Sequence, residues 1–418
     1  MENSRLNMLN GHFEQQNASY MSPHGPASDD DIVLVSCART AMTRAKRGNQ
    51  ATTSPEVMLK PVLEAVIKEA GIKASQVDEI TIGNVLQGGS GAASARMGQF
   101  LAGIPTETPL YVINRMCSSG LQAIINVANQ IRAGEIDMGI GGGVESMSMF
   151  SMQGMVDPEA ISDMAFEHPE AQLCMMSMGV TSENVAEKYG ITRTQMDAMA
   201  VESHRKAAHA QKMGWSQKEI TPYETILKDK EGNEKTVMVD RDCGVRPQTS
   251  METLAKLKPA FKKGGATTAG NSSQVTDGAA VSLLARRSHA KKLGLPIKGR
   301  ILGFKAVGVP VDYMGIGPAV AIPAVLKQCG LEVKDIDSFE INEAFASQAT
   351  YCVEKLGVPY SKLNQRGGAL ALGHPLGMTG ARLVCTLFSE LERVNGKYGV
   401  ISMCIGTGMG AAGVFERE

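Results

Sequence analysis

Past a polar leader, the chain alternates short apolar runs with stretches whose apolar residues recur every three or four positions. Ile32 to Val35 is an unbroken apolar run of buried-strand type. Ser54 and Pro55 open a helix, serine as N-cap and proline at the first helical position. Met58, Val62, Ala65, Val66 and Ala70 hold helical spacing as far as Gly71, which reads as a C-cap. Ile80, Ile82 and Val85 predict the next strand. Strands alternating with helices predict a parallel sheet.

The pattern then repeats. The stretch Ala65–Ile82 is echoed by Ala324–Ile341, matching positions differing by 259 throughout. Each copy reads as helix, glycine cap (Gly71, Gly330), turn, strand, and Gly120 and Gly380 each open a later apolar helix. Such self-similarity predicts two similar α/β halves. The first spans about 29–290 and carries an insert at about 146–265; the second spans 297–418. The insert begins with Met147, Met149, Met152, Met155, Met164, Met175, Met176 and Met178. Methionines suit a pliable binding surface or an irregular core, and core is the default expectation. Thr192 with Gln195 forms a capping box ahead of a long helix, and Lys230–Asn233 reads as a hairpin tip.

Composition narrows the class. Of 418 residues 43% are hydrophobic and 20% charged, with Lys+Arg 42 against Asp+Glu 43. That near-neutral balance argues against a general nucleic-acid binder, and no apolar stretch is long enough to span a bilayer. The eight cysteines form neither a CxxC pair nor metal-like spacing, so no metal is expected and the set reads as reduced thiols. Residues 1–28 are rich in Asn, Gln, Ser and Pro and lack the apolar core of a secretory signal. Arg5-Leu6 and, after five residues, His12-Phe13 resemble an N-terminal peroxisomal targeting signal read by an import receptor.

Three segments carry candidate chemistry. In Asn114–Gly120 a strand ends and a helix begins at or just after Cys117, a setting that favours thiolate. In Gly367–Arg382, His374 sits in a Gly/Pro turn before a helix start, a place for a general base. In Ile401–Gly410 an apolar strand runs into Cys404 and then Gly406, Gly408 and Gly410, which expose backbone N–H groups able to hold an oxyanion. The run lacks the Gly-Lys-Ser/Thr ending of a phosphate-binding loop.

Together these segments, with Asn342-Glu343-Ala344-Phe345, resemble the thiolase family from about Asp29 to the C-terminus. The resemblance implies a duplicated, layered αβαβα fold with an inserted loop domain. It implies no permanently bound cofactor, coenzyme A as co-substrate, 3-ketoacyl-CoA as substrate and a homodimer. It implies that Cys117 attacks the 3-keto carbon while His374 takes its proton, and that Cys404 protonates the acetyl-CoA enolate and then activates incoming CoA. Asn342, through a water, and His374 would hold the enolate oxygen; the N–H groups of Cys117 and Gly406 would hold the tetrahedral oxyanion. Thr268–Ser273, including Ala269 and Ser273, resembles a CoA-tunnel segment, with Met178 and Phe345 toward the acyl site and Trp215 toward the adenine end. Met116, Met378 and Arg366 depart from the common pattern beside the active loops.

Ser177-Met178-Gly179 stands where small-substrate relatives carry His-Met-Gly, which leaves room for a longer acyl chain and favours a degradative peroxisomal 3-ketoacyl-CoA thiolase. The alternative is an acetoacetyl-CoA-forming acetyl-CoA acetyltransferase. Ketoacyl synthases share the duplicated fold but lack a Cys404 in this glycine context. A lipid binder of this fold has no need of both cysteines and the histidine. Cys174 lies near Ser177-Met178-Gly179; a reduced, buried Cys174 is the favoured expectation, against a reversible disulfide with Cys117.

Overall fold

The computed structural model describes residues 26–153 and 157–418, so the Arg5–Phe13 motif and Met155 lie outside the described residues. The strands are β1 (Ile32–Arg39), β2 (Thr43–Arg44), β3 (Glu79–Gly83), β4 (Leu110–Ile113), β5 (Met138–Ser146), β6 (Tyr223–Lys228), β7 (Glu234–Val239), β8 (Thr276–Arg286), β9 (Gly299–Gly308), β10 (Ser338–Ile341), β11 (Tyr398–Ile405) and β12 (Met409–Arg417). The longer helices are α1 (Pro55–Ala70), α2 (Ala92–Leu101), α3 (Ser119–Ala133), α4 (Met178–Tyr189), α5 (Arg193–Lys212), α6 (Gly317–Cys329), α7 (Ala346–Leu356) and α8 (Leu376–Val394).

Ser54 occupies the N-cap of α1 without a side-chain bond, and Gly71 ends that helix at φ 69°. Thr192 and Gln195 cap α5 reciprocally. The strands follow the order β10-β11-β12-β9-β1-β8-β5-β3-β4, with β2 beside β8. The sheet is mixed, not parallel. Only β3–β4, β3–β5 and β10–β11 run parallel, because helices connect those strands. Each half then closes on antiparallel pairs, β5–β8 and β11–β12. The halves join through two residue pairs of β1 and β9, Val33↔Arg300 and Leu34↔Gly299.

Three buried clusters build the layers. One packs α1 side chains such as Leu59 and Val62 on the first half's sheet, and one packs Ile322 and Val325 of α6 on the second. The third lies between, where Leu121 and Ile124 of α3 meet Leu383, Val384 and Leu387 of α8. Each fully buried Leu, Ile or Val contributes roughly 1.5–3 kcal/mol. The glycines matched in the repeat sit at this crossing: a Cβ on Gly120 would lie 2.6 Å from Gly377 O, and one on Gly380 would lie 2.4 Å from Leu121 N.

The chain leaves β5 at Ser146 and re-enters the sheet at Thr276; between them lie α4, α5 and the β6–β7 hairpin. Val185, Met196 and Ala200 of this insert pack into the second half's core. Met147 is buried, but Met149, Met152, Met164 and Met175 are exposed, so the core expectation fails for those four. The helical turns at Asp163–Glu167 and Gln172–Met175 are too short to bury an apolar face.

Candidate active site

Between β4 and α3 the chain makes a tight turn that presents Cys117. Asn114 Oδ1 accepts the Met116 N–H at 2.9 Å, and Ser119 Oγ accepts the Arg115 N–H at 2.9 Å while donating to Met116 O at 2.7 Å. Met116 is held at φ 47°, a left-handed conformation that a non-glycine residue adopts only under tertiary constraint. The helix begins at Ser119, two residues beyond Cys117. Burial pushes the Cys117 thiol up to about 11, against N–H donation from Gly406 and from Cys117 itself, and the Glu145 charge adds to the rise. The expectation of a resting thiolate is therefore corrected: desolvation outweighs the donors at the helix start.

Cys404, next to last in β11, is fully buried, and burial also lifts its thiol well above the ordinary range, with Cys117 the next cause. The glycines after it form the β11–β12 turn, where Thr407 and Gly408 take φ 66° and 82°. A Cβ on Gly408 would lie 2.5 Å from Val309 O. This turn aims the Gly406 N–H at Cys117.

His374 follows Gly373, whose φ of 107° and whose approach to Thr276 (2.3 Å from an added Cβ) exclude any side chain. The His374 N–H donates to Gln274 O at 2.9 Å. Its Nδ1 lies 2.6 Å from Thr379 Oγ1, whose hydroxyl donates to Pro375 O at 3.2 Å. The Thr379 oxygen therefore accepts from Nδ1–H, which assigns the tautomer and leaves a lone pair on Nε2. Asn342 Nδ2 lies 3.3 Å from that Nε2. Burial, then Arg382, depress the imidazolium to about 3, so the ring is a neutral base.

Asn342 stands just past β10, its N–H bound to Ser402 O at 2.8 Å. Its Oδ1 is buried with no hydrogen-bond partner among the described residues. Glu343 turns away, taking Ser203 Oγ at 2.6 Å, Asn364 Nδ2 at 2.8 Å and the Leu370 N–H at 3.2 Å, and so anchors the loop leading to His374.

Met178 and Phe345 pack with Cys404, Met314 and Ala344, and Met178 Sδ lies 3.5 Å from a Cβ built on Gly406. Ser273 N–H donates to Ala344 O at 3.0 Å, so the segment carrying Ser273 and the exposed Ala269 runs beside Phe345. Trp215 is not brought to this cluster. Its ring carries the Arg393 guanidinium at 4.1 Å and meets His209 edge-on at 5.0 Å. Arg393 lies 17 residues beyond Leu376 along α8, about 25 Å away at 1.5 Å per residue. Arg366 belongs to the same end: it binds Glu390 and Trp215 O, which accounts for its departure from the common pattern. Cys174 is free but exposed, not buried as expected, because the short turn Gln172–Met175 has no buried face; its thiol lies 3.9 Å from Glu170 O.

Two residues escaped the sequence reading. Thr379 orients His374, and its only signal was a hydroxyl one helical turn past the histidine. Glu145 is fully buried and takes four N–H donors; its signal was a lone acid closing an otherwise apolar, glycine-rich strand.

Two neutral thiols, a neutral imidazole and an exposed N–H suit acyl transfer through a covalent thioester. Among the described residues no group of three or more His, Cys, Asp or Glu could hold a metal ion.

The chain matches the thiolase N-terminal domain over residues 32–288 and the thiolase C-terminal domain over 295–417. It is 54% identical over 421 residues to 3-ketoacyl-CoA thiolase A, peroxisomal, of Mus musculus, covering 99% of each protein. The crystal structure of the dimeric peroxisomal thiolase of Saccharomyces cerevisiae superposes with a TM-score of 0.86 at 44% identity, over 94% of this chain and 99% of that one. Human mitochondrial 3-ketoacyl-CoA thiolase in complex with CoA superposes at 0.83 with 35% identity, over 93% of this chain and 98% of that one.

Proposed function

The chain belongs to the thiolase family, and from that premise we propose that Cys117, His374, Cys404, Asn342 and Gly406 divide its chemistry among them. Its activity is the CoA-dependent cleavage of 3-ketoacyl-CoA to acetyl-CoA and a shortened acyl-CoA, an acyltransferase reaction of fatty-acid β-oxidation in the peroxisome. His374 Nε2 takes the Cys117 proton as the sulfur bonds to the 3-keto carbon. The Gly406 and Cys117 N–H groups hold the resulting oxyanion. The bond between C2 and C3 then breaks, leaving an acyl thioester on Cys117 and an acetyl-CoA enolate. His374, and Asn342 through a water, hold the enolate oxygen, and the Cys404 thiol protonates C2. The Cys404 thiolate next takes the proton of the incoming CoA thiol, whose sulfur displaces Cys117 from the acyl group, and the released Cys117 thiolate recovers its proton from His374.

What supports this reading is the rise of the Cys404 thiol beside Cys117, together with a neutral, tautomer-fixed imidazole that lies against Asn342. Charge is made only when substrate is present, because no resting ion pair exists. The missing histidine before Met178 favours longer acyl chains. Thiolysis rates on 3-ketoacyl-CoAs of graded length test this: a rate confined to acetoacetyl-CoA overturns it. CoA is the co-substrate, entering beside Ala269, Ser273 and Phe345. The assembly is a homodimer, for which edge strand β4 and the exposed Met97, Phe100 and Leu101 offer a surface. Import rests on Arg5-Leu6 and His12-Phe13 and their receptor; a fluorescent fusion of residues 1–28 that stays cytosolic overturns that.

A further inference from the structure

Glu145 is buried beside the nucleophile and no step above uses it. It closes the first half's strand β5, whereas its contacts reach into the second half. Oε2 accepts the Val85 N–H at 3.0 Å and the Gly377 N–H at 2.9 Å. Oε1 accepts the Leu86 N–H at 3.2 Å and Asn84 Nδ2 at 3.2 Å. Gly377 lies three residues past His374 and 232 past Glu145. Its fit is close: a Cβ there would meet Asn84 and Gly83 at 2.8 Å and Glu145 Oε2 at 3.0 Å. Val85, Met147 and Leu376 pack around the acid together with Met116 and Cys117, so one small cluster holds latch and nucleophile.

We propose that Glu145 is a positioning residue of the thiolase reaction: its ionised carboxylate latches the His374 turn onto the Cys117 half. All four donors are N–H groups, so only a carboxylate, acceptor at both oxygens, satisfies every one. A protonated acid would turn an O–H against an N–H and release part of the latch. Charge acts alongside geometry, since a negative neighbour opposes a thiolate at Cys117. Burial raises the Glu145 carboxyl to about 7 against its donors, which places the loss of the latch on the acid side of neutrality. The Cys117 thiol is the titratable group that feels the Glu145 charge. The nearest buried acid, Asp277, lies opposite Ser146 and is held by Ser148 at 2.8 Å.

This inference rests on the proposed roles of Cys117 and His374. Those fail if no acyl adduct forms on Cys117; the test below is read separately, by alkylation and pH profile. In the full-length enzyme, Glu145→Gln is expected to lower kcat about 100-fold, as a misplaced base does. Its acid limb in kcat should vanish, and the midpoint for iodoacetamide alkylation of Cys117 should fall by roughly a few tenths of a pH unit, Glu145 being the least of the causes that raise that thiol. Loosened packing alone would also ease ionisation of the thiol by admitting water, so a variant that keeps the charge separates the two effects. Glu145→Asp, charged but short, should lose turnover yet keep both the acid limb and the alkylation midpoint. An unchanged acid limb and alkylation midpoint in Glu145→Gln, or full turnover in Glu145→Asp, overturns the proposal.

Discussion

Glu145 stands near the end of β5 as Cys404 stands near the end of β11, 259 positions on, while Asn84 and Asn342 each stand first past a strand, β3 and β10, although the same offset pairs Asn84 with Glu343. The register agrees: Glu145 faces Gly278 and Cys404 faces Gly410, each across an antiparallel pair. The fillings differ. Asn84 donates to Val144 O at 2.8 Å and to Glu145, and accepts the Gln87 N–H at 3.0 Å. Asn342 leaves its Oδ1 unpartnered, and Cys404 feels Cys117. Asn84 and Glu145 are bonded to neighbouring loops, Gly377 of the other half included, whereas the Asn342 oxygen is left open. A buried polar atom without a partner costs about 1–3 kcal/mol, so it persists where function uses it.

The hardest test removes the nucleophile that the two halves jointly hold. Cys117→Ala is expected to lower thiolysis and condensation by roughly 10⁴-fold or more. Mass spectrometry of the wild type with substrate should find the acyl adduct on Cys117, and an adduct only elsewhere contradicts the assignment. His374→Gln should lower kcat by about 10²–10⁴-fold. The imidazole is neutral above about pH 3 and the Cys117 thiol protonated below about 11, so neither changes state between pH 5 and 9. The residual activity of His374→Gln should therefore keep the wild-type acid limb. A limb lost with the histidine would mean that His374 itself titrates near neutrality.

The asparagines sharpen the comparison directly. Asn342→Ala should lower kcat roughly 10²-fold with little change in thermal midpoint. Asn84→Ala should instead destabilise by about 1–3 kcal/mol, because it strands Val144 O and part of Glu145. Equal effects on kcat and melting in both variants would erase the distinction between scaffold and site. The smallest effect belongs to Trp215→Ala, expected to cost about 1 kcal/mol of stability through its lost Arg393 contact. The KM for CoA should not move; a large rise would return Trp215 to the adenine site.

Much of this was legible in the chain. The 259-residue offset, the glycine caps and the turns bearing Cys117, His374 and Cys404 are patterns of neighbouring residues, and glycine at 373 or 120 reports a space that no side chain fits. What the Trp215 ring meets was not legible, because a lone tryptophan carries no record of its partner and Arg393 lies 178 positions away. The exposed methionines misled because apolarity predicts burial only where an element is long enough to have a buried face.

By itself the sequence determined which residues carry the chemistry and the local geometry of each turn, since caps, turns and strand ends depend on a few adjacent residues. Only the tertiary structure decided their protonation and orientation. Cys117 rests as a thiol, His374 as a neutral ring locked by Thr379, and Glu145 as an acid tied to Gly377. A pKa depends on how much water is removed and on which donors arrive from distant segments, and no local pattern along a chain specifies either.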